Sequence, residues 1–91
     1  EAQNSIQHLN AYPNPFNDRI HIRFNSSLGT NSLRAVLRNA LGQEITSSSK
    51  FELIDNGIDC SFDNLSQLQK GYYIVQLEDQ GQIVAVSQLI K

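Results

Sequence analysis

The sequence predicts an all-β protein folded as an antiparallel β-sandwich of about seven strands in two sheets. Apolar and polar residues alternate with a period of two over most of the chain, which is typical of strands that bury one face. Turn-forming clusters separate these runs at intervals of about 8–12 residues, the spacing found in sandwiches. Hydrophobic residues make up 40% of the 91 residues and charged residues 18%, so one folded domain is expected.

The first strand is weakly patterned and ends at a rigid turn. Residues 6–11 alternate strictly, which places Ile6 and Ala11 on opposite faces. Pro13 and Pro15 exclude a central strand beyond this point, because each fixes φ and lacks a backbone donor.

The clearest strand is residues 19–24, where isoleucine and phenylalanine alternate with charged residues and histidine. The polar segment 25–32 contains a glycine and predicts a loop. Residues 33–38 and 43–48 then form a hairpin, whose turn contains Gly42 at a position that can adopt positive φ.

Two further hairpins complete the chain. Residues 50–54 and 58–62 flank an Asp-Asn-Gly turn signal. Residues 63–70 break the alternation and allow at most one helical turn. Residues 72–78 and 83–90 form the last hairpin, and the long apolar run in its second strand predicts that this strand is covered on both faces for part of its length.

The strand count and turn spacing favour an immunoglobulin-like arrangement of the two sheets. Cys60 is the only cysteine, so it forms no internal disulfide, and its spacing predicts a small buried hydrophobe. The predicted core consists of Ile20, Ile22, Phe24, Leu33, Leu37, Ile45, Phe51, Leu53, Cys60, Phe62, Leu65, Leu68, Tyr73, Val75 and Leu77.

Composition and motifs argue against several classes of function. The net charge is −2, whereas nucleic-acid recognition usually needs a basic surface, so no nucleic-acid partner is expected. No apolar run approaches the ~20 residues that span a bilayer, and no signal-peptide pattern opens the chain. There is no nucleophile–base pair, phosphate loop or metal-ligand pattern, so we expect no enzyme activity, cofactor or metal, although a weak surface cation site near Asp55, Asp59 and Asp63 stays open.

Five short motifs follow one another along the chain: Tyr-Pro-Asn-Pro at 12–15, the strand 20–24, Leu-Gly at 41–42, Leu-Gln-Lys-Gly-Tyr-Tyr at 68–73, and Leu-Ile-Lys at 89–91. Each motif alone has a structural explanation. The first fixes a turn through local hydrogen bonding, and the fourth reverses the backbone and buries a tyrosine whose hydroxyl seeks a partner, as in a tyrosine corner. The last is an ordinary solvated chain end.

In this order the five motifs resemble the type A C-terminal sorting domain of the type IX secretion system (Por secretion system), over nearly the whole chain. The resemblance implies that residues 6–91 are a non-catalytic sorting signal of Bacteroidetes-type bacteria, and that residues 1–5 end a linker from an upstream cargo domain. The signal or recognition residues that it implies are Pro13, Asn14, Pro15, Gly42, Gly71, Tyr73, Leu89, Ile90 and Lys91.

The resemblance also implies partners and a route. The domain would direct a periplasmic cargo across the outer membrane to the cell surface or the medium, through the type IX translocon and an outer-membrane shuttle protein that meet Lys91 and the final strand. A sortase-like cysteine peptidase would then remove it, often with transfer of the cargo to a surface lipopolysaccharide. If the final strand is a sheet edge, its open backbone groups would also let a receptor strand or a second copy pair with it, giving a homodimer.

The alternative is an immunoglobulin-like binding or accessory module, for carbohydrate or protein, appended to a secreted enzyme. Sugar recognition usually uses exposed aromatic rings, for which Tyr72 and Tyr12 are the available candidates.

Overall fold

The protein, seen in a computed structural model that describes residues 6–27, 30–55 and 57–91, consists of two four-stranded antiparallel sheets. The predicted linker at 1–5 lies outside the described residues. The strands are β1 (Ile6–Tyr12), β2 (Ile20–Ser26), β3 (Leu33–Asn39), β4 (Glu44–Ser48), β5 (Glu52–Ile54), β6 (Gly57–Phe62), β7 (Tyr72–Asp79) and β8 (Gln82–Ile90). Within the described ranges there is no helix long and apolar enough to cross a membrane.

The strand order confirms the predicted fold class. One sheet has the order β1-β2-β6-β5 and the other β4-β3-β7-β8. This is the immunoglobulin-like division, in which the first, second, fifth and sixth of eight strands share a sheet and the chain crosses between sheets three times. The segment between β6 and β7 contains one turn, closed by the N–H of Leu68 donating to the carbonyl of Leu65 at 3.1 Å.

The core lies between the sheets and agrees with the predicted set at most positions. Ile45, Phe51 and Leu68 are only partly buried but pack against it. The prediction that Leu53 belongs to the core is wrong, since this residue is 82% exposed. It lies on the three-residue strand β5, at the edge of its sheet, where the opposite sheet offers little to pack against.

Strict alternation in the first strand is also wrong. Gln7 pairs with Asn25 while Asn10 pairs with Arg23, so two residues of β1 oppose one of β2. This is a β-bulge, and His8 within it has φ 60°. Because of the extra residue, the side chains at both ends of β1 point inward, and Ile6 and Ala11 are both buried in the core.

The final strand is an edge, as predicted, but it is not covered on both faces. β8 forms a ladder with β7 alone among the described strands. Its outward side chains Ile83 and Val86 are 57% and 58% exposed, whereas Leu89 is 0% exposed and belongs to the core. The apolar run therefore presents hydrophobic surface to solvent.

Candidate functional site

One end of the sandwich gathers the sequence motifs. The ladder pairs Asn39 with Tyr73 and Tyr72 with Ile90, so the end of β3, the start of β7 and the end of β8 lie side by side. The loop between β1 and β2 reaches the same end. We call residues 13–16, 71–73 and 89–91 together the terminal cluster.

The proline-containing turn binds the backbone of Ile90. The N–H of Ile90 donates to Oδ1 of Asn14 at 3.0 Å, and the N–H of Phe16 donates to the carbonyl of Ile90 at 2.9 Å. The peptide bonds preceding Pro13 and Pro15 are both cis. The predicted hydrogen bond of the Asn14 side chain therefore exists, but its partner is 76 residues away rather than in the adjacent backbone.

Gly71 binds the backbone of Lys91, the residue that follows Ile90. The N–H of Lys91 donates to the carbonyl of Gly71 at 2.9 Å, and the N–H of Gly71 donates to the carbonyl oxygen of Lys91 at 3.2 Å. The two residues thus form a hydrogen-bonded antiparallel pair. Both backbone neighbours of the end of β8 come from motifs that the sequence singled out.

Aromatic rings fill the space beneath these contacts. Phe16 is 4% exposed and meets Tyr73 edge to face, with ring centroids 5.4 Å apart at 76°. The hydroxyl of Tyr73 donates to the carbonyl of Gln69 at 2.5 Å. This is the predicted tyrosine corner, formed from the loop just before β7.

The loop before β7 is tied to the loop before β2. The backbone N–H of Leu65 donates to the carbonyl of Asp18 at 2.8 Å, and the N–H of Ser66 donates to its Oδ1 at 3.2 Å. The ammonium of Lys91 lies 3.4 Å from the carbonyl oxygen of Ser66. The hydrogen bonds to Asp18 hold in place the loop that the half-buried Lys91 side chain contacts.

Gly42 lies near this cluster without touching the end of β8. Its turn is closed by its N–H donating to the carbonyl of Asn39 at 2.9 Å, and Oδ1 of Asn39 accepts from the N–H groups of Leu41 and Gln43 at 3.0 Å each. A groove of about 170 Å³ separates the turn from residues 69–73. Leu41 stands at its rim with 84% of its side chain exposed.

Sequence reasoning missed Phe16, Asp18 and Ser66. Phe16 sits in a turn, outside every periodic run, and the only sequence sign of its burial is a large aromatic residue directly after a proline. Asp18 and Ser66 act through hydrogen bonds between loops that are far apart in the sequence, which no local pattern predicts.

The pocket around Cys60 does not offer a nucleophile. Cys60 is 3% exposed, as predicted, at the base of an open pocket of about 270 Å³ that Lys50 and Glu52 also line. Burial raises the pKa of its thiol, an effect that a hydrogen bond with Ser48 opposes. A raised pKa keeps the thiol protonated near neutral pH, which is the unreactive form.

The four arginines, three of them on β2 and β3 and Arg19 directly before β2, are engaged by carboxylates. Arg34 makes the closest such contacts of β3, with its guanidinium 2.9 Å from Glu44 and 3.2 Å from Glu78. The remaining pairs are Arg19 with Asp63, Arg23 with Asp59, and Arg38 with Glu78. This pairing offsets the positive charge on both outer faces.

The aromatic side chains considered for sugar binding lie on different sheets. Tyr12 stacks on His21 at 5.4 Å on the outer face of the β1-β2 pair. Tyr72 is 57% exposed on the outer face of the other sheet, since its neighbour Tyr73 points into the core. The two rings therefore do not form one platform.

Comparison with known proteins identifies the family of the chain. The family model described as "Secretion system C-terminal sorting domain" matches residues 10–91, which include every segment of the terminal cluster. No curated protein and no solved structure matches the chain. A match over most of the chain, together with an immunoglobulin-like sandwich, shows that this protein belongs to the family of type IX secretion system C-terminal sorting domains.

Proposed function

We propose that the terminal cluster is the part of this sorting domain that the type IX machinery recognises, and that residues 89–91 dock to the translocon or to its outer-membrane shuttle protein. Family membership makes the domain a type IX sorting signal, generally non-catalytic, in a protein bound for the outer membrane, the surface or the medium. The observation that carries the proposal is that residues from separate sequence motifs bind the same end of β8. Asn14, Phe16 and Gly71 all bind the backbone of residues 90 and 91.

The surface around Lys91 has a mixed chemistry that suits a protein partner. Tyr72 and Ile90 face each other across the ladder, and they are 57% and 43% exposed. Lys91 follows Ile90, so its side chain leaves the opposite face of the sheet, and its ammonium lies 3.4 Å from the carbonyl oxygen of Ser66. A partner that binds around this chain end, with an apolar surface for Tyr72 and Ile90 and a carboxylate for the ammonium, would match it, because interfaces combine an apolar centre with a polar rim.

Export of a fused reporter tests the sorting role. Residues 1–91 are joined to the C-terminus of a periplasmic fluorescent protein, in a bacterium that has the type IX system and in a mutant that lacks it. We expect the reporter outside the cell or on its surface in the first strain only. Retention in the periplasm of both strains, with the domain folded, would instead favour a binding module.

Point substitution tests the docking residue better than truncation. Leu89 is 0% exposed, so removing residues 89–91 would disturb the core as well as the signal. Lys91→Ala leaves the core intact and should lower export, while Lys91→Arg should retain it. Lys70→Ala removes an exposed charge from the neighbouring loop and serves as the matched control. Equal export from Lys91→Ala and Lys70→Ala would contradict a docking role for Lys91.

The later steps of the proposal concern processing. Cleavage by a sortase-like cysteine peptidase would fall at or before the first residues of the chain and separate cargo from domain. Mass spectrometry of the exported reporter tests this step. A reporter recovered with the whole domain attached would show that this protein is exported without cleavage.

Self-association through β8 is a separate proposal. The exposed Ile83 and Val86 on an edge strand support pairing between two copies. Sedimentation equilibrium of the 91-residue chain tests it. A single monomeric species at all concentrations would exclude the homodimer.

A further inference from the structure

We propose that Asn14 is a positioning residue for the end of β8. Its amide oxygen, together with the N–H of Phe16, holds Ile90 and Lys91 in the one position at which the recognition partner meets them. The inference rests on the proposed function, because it assigns a role within the same cluster.

The argument begins with the direction of the backbone groups. Because Gly71 and Lys91 exchange both of their hydrogen bonds, the neighbouring pair, Tyr72 and Ile90, is a non-hydrogen-bonded pair of the antiparallel ladder. The N–H and carbonyl of Ile90 therefore point away from β7. On an edge strand such groups are open to water or to another strand.

Both groups of Ile90 are nevertheless occupied. Oδ1 of Asn14 accepts from its N–H, and the N–H of Phe16 donates to its carbonyl. The turn thus replaces a neighbouring strand over one residue. We call this pair of contacts the Asn14–Phe16 clamp.

The exposure, position and chemistry of Asn14 fit this role, and its contacts suggest no other. Its side chain is exposed, so it adds nothing to the core. It lies between Pro13 and Pro15, whose rings fix φ and hold the turn in shape. An aspartate at this position keeps an acceptor oxygen, whereas a leucine of similar size does not.

The clamp also determines how a partner can bind. With both outward groups of Ile90 engaged, a receptor strand cannot extend its pairing along β8 through Ile90. A partner that adds a strand to a sheet edge binds mainly through backbone hydrogen bonds, whereas side-chain contacts give residue specificity. The partner therefore meets the side chains of Lys91 and Ile90 on a fixed backbone.

Amide hydrogen exchange measured by NMR on the 91-residue chain tests the positioning role. In the unmodified chain the Ile90 amide should exchange far more slowly than the exposed amide of Asn17. Asn14→Leu and Asn14→Ala should each accelerate exchange at both Ile90 and Lys91 by about five- to tenfold, the effect expected for one lost hydrogen bond. Exchange at Val75, in the core, should not change.

The Lys91 amide is the decisive probe. It donates to Gly71 and not to Asn14, so a substitution at Asn14 does not remove its bond directly and can accelerate its exchange only by letting the end of β8 move away from Gly71. Asn14→Asp should restore protection at both residues. Asn17→Ala, in the same loop, is the matched control and should leave both rates unchanged.

Unchanged exchange at Lys91 in Asn14→Leu and Asn14→Ala, with Val75 still protected, would overturn the proposal. If both variants fail to fold, the unmodified chain and Asn14→Asp decide. An Ile90 amide that exchanges as fast as that of Asn17 in the unmodified chain, or no protection in Asn14→Asp, would equally overturn it.

A secretion arm separates this inference from the proposed function. With the fused reporter, Asn14→Leu should lower export, while Asn14→Asp and Asn17→Ala should not. If the unmodified domain fails to direct export, the proposed function falls and the exchange results stand alone. If it directs export and Asn14→Leu exports equally despite accelerated exchange, positioning by Asn14 plays no part in recognition.

Discussion

Removal of one hydroxyl group measures what the tyrosine corner contributes. Tyr73→Phe deletes the hydrogen bond to the carbonyl of Gln69 and leaves the ring, with its edge-to-face contact to Phe16, in place. Tyr72→Phe deletes a hydroxyl from the adjacent residue, whose side chain is 57% exposed. The difference between the two variants therefore isolates one buried-ring hydrogen bond.

The expected loss in the free energy of unfolding follows from the exposure of the partner. A neutral hydrogen bond contributes about 0.5–1.5 kcal/mol net, and an acceptor left dry would add to that cost. Gln69 is exposed and its hydrogen bond with Tyr73 is only partly buried, so the added cost is small. We expect Tyr73→Phe to lose about 1 kcal/mol, which lowers Tm by about 4–8 °C in a domain of this size.

Urea and thermal unfolding followed by far-UV circular dichroism provide the assay. Tyr72→Phe should stay within about 0.5 kcal/mol of the unmodified chain, as surface substitutions do. If the two variants lose equal stability, the hydroxyl of Tyr73 contributes nothing and the tyrosine corner is a contact without energetic consequence. An equal m-value in all three proteins is the control that the unfolding transition itself is unchanged.

Three further predictions concern the rest of the fold. Gly57→Ala would place a Cβ 2.7 Å from a carbonyl oxygen of β2 at φ +154°, whereas the Cβ of Gly81→Ala meets open space. Urea titration should show a loss in the free energy of unfolding above about 2 kcal/mol for the first variant and of about 1 kcal/mol for the second, and equal losses would contradict the clash. Leu77→Ala should lose about 2–5 kcal/mol and Leu53→Ala less than about 0.5 kcal/mol, so a large loss at Leu53 would place it in the core after all. Burial raises the pKa of the Cys60 thiol, so iodoacetamide should label it slowly until urea unfolds the chain, and fast native labelling would refute this. Because the folded pKa is the higher one, the stability linked to the thiol is complete below its unfolded pKa and is lost as pH rises through the folded pKa.

Local patterns predicted the strands well and the edges of the sheets poorly. Alternation in residues 20–24 and 72–78 marks central strands, where both neighbours enforce the pattern. Leu53 has the same apolar character, but burial depends on what lies opposite, and that is set by sheet order. Val36 shows the converse: it lies on the outer face of β3 between Arg34 and Arg38, yet it is 0% exposed. Long arginine side chains can cover apolar surface in this way.

Three residues of the candidate site could be predicted from the sequence, but their contacts could not. Asn14, Gly71 and Lys91 stand out in the sequence because their motifs occur in a specific order. No pattern in the sequence states that the first two bind the backbone of residues 90 and 91. Such contacts depend on the three-dimensional position of two loops, and Phe16, which completes them, has no periodic signal at all.

The separation of Asn14 and Ile90 by 76 residues has a consequence for the order in which the domain matures. Closing a loop of that length in a flexible chain costs about 4 kcal/mol or more, while a single hydrogen bond returns about 1 kcal/mol. The contact therefore cannot form before the intervening sheets have assembled. Only a domain whose two sheets have assembled therefore holds the end of β8 in this position, so the hydrogen bond between Asn14 and Ile90 is also a marker of completed folding.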